Sequence, residues 1–203
     1  LASPDGATWT ERFSGTTYNL PYNLESVTYG NNQFIAVGED GTILTSPAGA
    51  TWTERSSGTT YNLSYTLQSV TYGNNQFITV GDDGTILTSP DGATWTLRSS
   101  GTAQRLYSVA YGNNQFITIG GSITSVPSAT MSSIILTSPD GTTWTERSSG
   151  TTSYLESVTY GNNQFIAVGF SGIILTTPNG VTWAERSSGT TEGLYSVTYG
   201  NNQ

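Results

Sequence analysis

Residues 26–38 read SVTYGNNQFIAVG. The string returns as SVTYGNNQFITVG from Ser69, as SVAYGNNQFITIG from Ser108 and as SVTYGNNQFIAVG from Ser157, and its first part returns as SVTYGNNQ from Ser196. Five copies at a period of about 40 residues define a repeat protein, so the architecture can be read from one unit. In the unit from Leu24 to Gly58, strand A is expected over Glu25 to Tyr29, strand B over Gln33 to Val37, strand C over Thr42 to Ser46 and strand D over Trp52 to Ser56. Gly30-Asn31-Asn32, Glu39-Asp40-Gly41 and the stretch Pro47 to Thr51 are short enough to join these strands as antiparallel hairpins. Strand B is apolar at consecutive positions from Phe34 to Val37, the mark of a strand covered on both faces by stacked sheets. Strand D is polar and charged, as suits an outer edge.

A four-stranded meander of this length is a propeller blade rather than a solenoid turn. The expected fold is therefore an all-β, five-bladed β-propeller of four-stranded antiparallel blades, forming a single domain over 1–203. The blades fall at about 24–58, 67–101, 106–150 and 155–189, with a last one made of 194–203 plus 1–15. In that last blade strand A would come from the C-terminus and strand D from the N-terminus, so the ends would share a sheet near Val197 and Trp9 and close the ring. A stretch corresponding to FIAVGEDGTI has no counterpart there, and the chain begins at Leu1 rather than Met. Both features suggest a truncated chain or a piece of a longer array. Two insertions lengthen the unit: YNLPYNLES and YNLSYTLQS before strand A, and Gly121 to Ser133 between strands B and C of the third copy. The second is expected to form a protruding or mobile B-to-C loop at the end of the blades that is rich in tyrosine.

Composition agrees with many short strands. Of 203 residues 24 are Gly and only 10% are charged, with one Met and six Arg as the whole basic complement. The net charge of -8 repels phosphate backbones and anionic headgroups, so nucleic acid is not an expected partner. No apolar run approaches the length of about 20 residues needed to span a bilayer, so membrane insertion is not expected either. With neither Cys nor His in the chain, disulfides, thiolate metal sites and Ser-His or Cys-His nucleophile pairs are excluded. No cofactor is expected, and oligomeric state is not readable.

Each strand C runs into a segment such as Ser3-Pro4-Asp5-Gly6-Ala7-Thr8-Trp9, with the later tryptophans at Trp52, Trp95, Trp144 and Trp183. These segments resemble the Asp-box, or BNR, repeat of the sialidase-type propellers, in a form one residue shorter between Asp and Gly. That shortened form is similar to the repeats of the Ycf48-like photosystem II assembly factors. The resemblance covers the whole chain and implies the fold, while the fold itself hosts unrelated activities. Asp5, Asp91 and Asp140 are replaced by Ala48 and Asn179 in the other copies. A catalytic carboxylate does not tolerate exchange for a methyl group, so a turn-making role is expected, with Pro fixing φ, Asp capping the backbone and Gly taking positive φ. The Trp is expected to anchor one blade on the next.

In such a meander the A-to-B and C-to-D turns lie at one end, and the B-to-C turns and D-to-A connections at the other. The second end carries the residues that vary between copies and is the expected functional face. It holds Tyr18, Tyr22, Tyr61, Tyr65, Tyr107, Tyr154 and Tyr195, rings suited to docking a protein surface or stacking on sugars. Rings at such places also serve to seal the gaps between blades. The position opening strand A is Glu25, Gln68, Tyr107, Glu156 and Tyr195 in turn, with Arg105 beside the third.

The leading expectation is a non-enzymatic binding scaffold for a protein or glycan ligand, in an extracellular or cell-surface setting. One alternative is a multivalent lectin with a weak sugar site on each blade. Another is a glycoside hydrolase using Glu25 and Glu156 as its two carboxylates. Sialidase chemistry is disfavoured, because Arg12, Arg55, Arg98, Arg147 and Arg186 all occupy one equivalent place on outer strand D. The pairs Glu39-Asp40 and Asp82-Asp83 could hint at Ca²⁺, but acids before Gly are more commonly solvated turns.

Overall fold

A computed structural model of the chain describes residues 6–8, 10, 23–58, 65–124 and 130–200. It contains four sheets of four antiparallel strands, each a meander in chain order. The first comprises β1 (Leu24–Gly30), β2 (Gln33–Gly38), β3 (Ile43–Ser46) and β4 (Thr53–Arg55). The second comprises β5 (Leu67–Gly73), β6 (Gln76–Gly81), β7 (Ile86–Ser89) and β8 (Thr96–Arg98). The third comprises β9 (Arg105–Gly112), β10 (Gln115–Thr124), β11 (Thr130–Ser138) and β12 (Thr145–Glu146). The fourth comprises β13 (Leu155–Gly161), β14 (Gln164–Gly169), β15 (Ile174–Thr177) and β16 (Ala184–Arg186).

The four sheets span 24–55, 67–98, 105–146 and 155–186. The fifth blade and the closed ring are not found among the described residues. Among the described residues, 194–200 belong to no sheet. Trp9 lies outside the described residues, so its expected pairing with the C-terminal strand does so too.

Turn chemistry follows the sequence closely. In each A-to-B turn both central asparagines take positive φ, for example 46° at Asn31 and 57° at Asn32, the conformation that a two-residue hairpin with native twist demands. The B-to-C turns are single 3₁₀ turns at Glu39–Gly41, Asp82–Gly84 and Phe170–Gly172. In the third blade residues 121–124 and 130–133 belong to the sheet rather than to a loop. Their Ser, Ile and Thr residues extend the ladder between β10 and β11 out to Thr124 and Thr130, as alternating β-branched residues favour. Residues 125–129 lie outside the described part.

The core is built between blades rather than within them. One cluster joins Ile35, Val37 and Ile43 of the first blade to Leu67, Val70, Phe77, Leu87 and Trp95 of the second. Equivalent clusters follow at the next two seams, and Phe77, Phe116 and Phe165 are fully buried. Along the inner strands the same two contacts recur. Val70, Val109, Val158 and Val197 each donate a backbone N–H to the hydroxyl of Ser26, Ser69, Ser108 and Ser157 on the preceding strand A, at 3.1 to 3.2 Å. Tyr72, Tyr111, Tyr160 and Tyr199 lie over Gly30, Gly73, Gly112 and Gly161, where a Cβ would overlap Cγ of the ring.

The C-to-D turns are self-contained. Asp91 accepts from Ala93 N at 2.9 Å, Thr94 N at 2.8 Å and Ser89 Oγ at 3.1 Å. Asn179 accepts from Val181 N in the same way, at 3.0 Å. Where Ala48 stands, the Ser46 hydroxyl still accepts from Gly49 N at 2.8 Å. These turns also reach across the seam, since Gln33, Gln76 and Gln115 donate to the carbonyls of Asp91, Asp140 and Asn179 on the following blade. Trp95 and Trp144 donate from Nε1 to Gly92 and Gly141, with their rings packed on the seam clusters.

Three outcomes follow from this geometry. Gly112→Ala should destabilise the protein by about 3 kcal/mol, at the upper end of overpacking costs, because ring Cγ can yield only if the whole fourth blade shifts. A thermal melt indistinguishable from wild type would show that the seam is not tightly packed. At the C-to-D turn, Asp140→Ala should cost only about 1 kcal/mol, against roughly 3 to 5 kcal/mol for Trp144→Ala. The Asp140 carboxyl is held well below its ordinary 3.8, first by the Thr142 side chain and then by the backbone N–H groups of Thr142 and Thr143. Its contribution is therefore present above the ordinary value and is lost as pH falls through the folded one. Asp140→Asn should keep the neutral-pH stability and flatten that acid limb, as read by denaturant melts from pH 7 down to pH 2.

Candidate functional site

The B-to-C turns and D-to-A connections meet at one end of every blade. Glu39 N donates to Asn23 O, Asp82 N to Thr66 O and Phe170 N to Tyr154 O, each at 3.0 Å. At this end strand A carries a bulge in all four blades. The ladder steps from Leu24 opposite Gly38 to Ser26 opposite Val37, leaving Glu25 as the extra residue. Gln68, Tyr107 and Glu156 occupy the same place in the next three blades. The partner is glycine each time, since a Cβ at Gly38, Gly81, Gly120 or Gly169 would collide with the carbonyl oxygen of Asn23, Thr66, Arg105 or Tyr154. A bulge re-aims the extra side chain out of the strand's alternation. The position that varies around the repeat is thus the position freed from packing.

Around these bulges a chain of contacts crosses three blades. Asp82 accepts from Thr66 N and Gln68 Nε2, both at 3.3 Å. Its Oδ1 pairs with Arg105 Nε at 2.6 Å, and its Oδ2 accepts from Nη2 at 3.2 Å. The Arg105 side chain is 48% exposed, and its guanidinium carbon is 5.7 Å from the centroid of the Tyr107 ring. Tyr107 and Tyr154 are 6.1 Å apart and tilted by 35°. Tyr154 stacks on Phe170 at 5.1 Å and 19°. Burial raises the Tyr107 phenol, against the pull of Arg105, and raises the Tyr154 phenol as well. It also raises the Glu156 carboxyl, again opposed by the Arg105 charge. The result is one cation, one carboxyl with reduced acidity and three aromatic rings in a partly solvated patch.

Of the expected site residues, Arg105, Tyr107, Tyr154, Glu156 and Gln68 are brought into or beside this patch. Tyr65 instead packs against the seam cluster of the first two blades, which is the gap-sealing role. Tyr195 is 70% exposed, on the stretch that belongs to no sheet. Tyr18, Tyr22 and Tyr61 lie outside the described residues. Glu25 stands on β1 and Glu156 on β13, with β5 and β9 between them in the succession of inner strands.

The paired acids are not simply solvated. Glu39 accepts from the backbone N and Nδ2 of Asn23 at 3.1 and 2.9 Å, as Asp82 ties down Thr66 and Gln68. Among the described residues there is no group of three or more His, Cys, Asp or Glu arranged to hold a metal ion. Arg55, Arg98, Arg147 and Arg186 each donate from Nε to a strand C threonine at 2.9 to 3.0 Å.

Sequence reading missed Phe170 and undervalued Asp82. Both open a B-to-C turn at the place where the first copy has Glu39, so the available signal was a departure from the repeat. At the outer rim of the same end, an open groove recurs in three blades, lined by hydroxyls such as Ser99, Ser100 and Thr102 in the second and Ser148, Ser149 and Thr151 in the third.

No protein-family model matches the sequence, and no curated protein does. Solved structures are similar in fold. A YCF48 bound to a D1 peptide superposes with a TM-score of 0.58 at 18% identity, over 85% of this chain and 56% of that one. YCF48 from Cyanidioschyzon merolae gives 0.62 at 19% identity, over 90% and 62%. The computationally designed Ika4 protein gives 0.59 at 12% identity, over 83% and 98%. The chain thus spans about three fifths of the two YCF48 structures, and with its four stacked antiparallel meanders it has the β-propeller fold.

Proposed function

We propose that the chain is a non-catalytic scaffold that binds a protein segment on the face made by the B-to-C turns and D-to-A connections, centred on Arg105, Tyr107, Tyr154 and Phe170. The observation that carries this reading is the contact chain Asp82–Arg105–Tyr107–Tyr154–Phe170, which crosses three blades whose strands are otherwise nearly the same. Tyr and Arg are the residue types on which protein interfaces concentrate their energy, because they combine a large contact area with a polar end. A guanidinium held by a carboxylate and a ring is already ordered, so little side-chain entropy remains to be lost on docking. That a YCF48 of this fold was solved with a peptide bound supports a peptide as the ligand class here.

The lectin alternative would use the hydroxyl-lined outer grooves. Those grooves have few aromatic surfaces for sugar stacking, so they support that reading less. The hydrolase alternative would use Glu25 and Glu156, which stand on strand A of the first and fourth blades, two blades apart in the succession.

Selection from a random peptide library displayed on phage tests the proposal. Peptides enriched on the wild-type protein should weaken by about tenfold or more with Tyr154→Ala, a loss of roughly 1.4 kcal/mol or greater. Arg105→Ala should weaken them as well. Enriched peptides indifferent to both substitutions would place the binding surface elsewhere. Failure to enrich any peptide, combined with binding on a glycan array, would favour the lectin.

A further inference from the structure

The third and fourth blades open strand A with different side chains on the same backbone. Arg105-Leu106-Tyr107 in the third is replaced by Tyr154-Leu155-Glu156 in the fourth, with Leu106 and Leu155 both fully buried. The bulge then frees Tyr107 and Glu156 from the strand's alternation. In the third blade the outcome is a cation held on two sides. The Arg105 guanidinium donates to both oxygens of Asp82 and lies beside the Tyr107 ring.

The fourth blade has a carboxyl and a ring of the same kind and no cation. Glu156 supplies the carboxyl, and Tyr154 supplies the ring, stacked on Phe170 at 5.1 Å. Glu156 is partly buried and accepts no hydrogen bond from the described residues. Burial makes it less acidic, against the charge of Arg105, and that charge is already engaged by Asp82. A carboxylate withdrawn from water without a donor is costly, and a cation that brings its own N–H groups relieves the cost.

The elements around this carboxyl are acidic. Glu39, Asp40, Asp82 and Asp83 stand on the B-to-C turns and Glu25 and Glu156 at the strand A openings, against Arg105 alone among the described residues of those turns and openings. Such a face draws a cationic partner and repels an anionic one. Of the two cationic side chains, arginine satisfies a carboxylate and a ring together, because its planar fork matches the carboxylate oxygens while its flat face stacks on the aromatic.

We propose that the protein segment bound by the patch carries an arginine, with Glu156 pairing its guanidinium and the Tyr154 ring taking its flat face. The ligand arginine would stand to Glu156 and Tyr154 as Arg105 stands to Asp82 and Tyr107. This recognition rests on the patch being the protein-binding surface and adds the chemistry of the residue bound there.

Peptides selected on phage and weakened by Tyr154→Ala supply the probes, and they should share an arginine at one fixed position. Resynthesis with citrulline at that position keeps the size and removes the charge, so affinity read by fluorescence anisotropy should fall about tenfold or more. Glu156→Gln places at the bulge the residue that the second blade has there, Gln68, so the variant should fold, as checked by its thermal melt. On it the arginine peptide should bind about as weakly as the citrulline peptide binds the wild type, and citrulline should make little further difference. Patch-dependent peptides without a shared arginine would overturn the arginine proposal and leave the protein-binding reading standing, as would a citrulline loss equal on wild type and Glu156→Gln. If no selected peptide responds to Tyr154→Ala, both readings fall together.

Discussion

The structure depends on how closely one inner strand can approach the next. Tyr72, Tyr111, Tyr160 and Tyr199 occupy the space that a side chain would fill at Gly30, Gly73, Gly112 and Gly161, and the Ser-to-Val hydrogen bonds fix the sliding register of the same strands. Close approach lets the apolar faces of neighbouring sheets interdigitate without voids, as dense packing requires. It also explains why the string SVTYGNNQ is kept so nearly constant along the chain. Almost every letter in it either packs across a seam or makes the turn that follows.

A frame this uniform can differ between blades only where a residue escapes it. The strand A bulge provides that escape, and the glycine opposite it is the condition for its existence. Glu25, Gln68, Tyr107 and Glu156 are chemically unrelated side chains on one backbone geometry. The B-to-C turn varies in the same spirit, with Glu39 and Asp82 gripping the preceding connection by their carboxylates and Phe170 doing so by stacking under Tyr154. The polar and aromatic patch is what these two variable positions make when three consecutive blades bring them together.

The fold was legible because the repeat separates what is constant from what changes. Strand types, hairpin turns and the structural part played by Asp91 and Asp140 could be read directly, since each depends on residues close in sequence. The fifth blade could not be, because sequence homology between the chain's last residues and a strand A says nothing about whether a sheet forms around them. The continuation of β10 to Thr124 and of β11 from Thr130 is not legible as strand, because the Gly, Ser and Pro content of the stretch masks its alternating Ile, Thr and Met. In the site, the rings were visible but their division of labour was not. Tyr65 seals a seam and Tyr154 joins a ladder of side chains, and that distinction arises from contacts between blades about 40 or more residues apart, which no local pattern encodes.

In each of the four described sheets every strand pairing is between consecutive strands, so each sheet closes only short loops and can form before its neighbour does. The same uniformity creates an assembly problem. Any inner strand carries the code to dock on any other, so the seams alone do not say which blade follows which. Contacts made from the non-repeating residues, Asp82 with Arg105 and Tyr107 with Tyr154, join the second blade to the third and the third to the fourth in that order alone. The residues that give the protein its chemical individuality therefore also act as addresses during folding, favouring the native succession of blades over swapped arrangements that the seams would accept equally well.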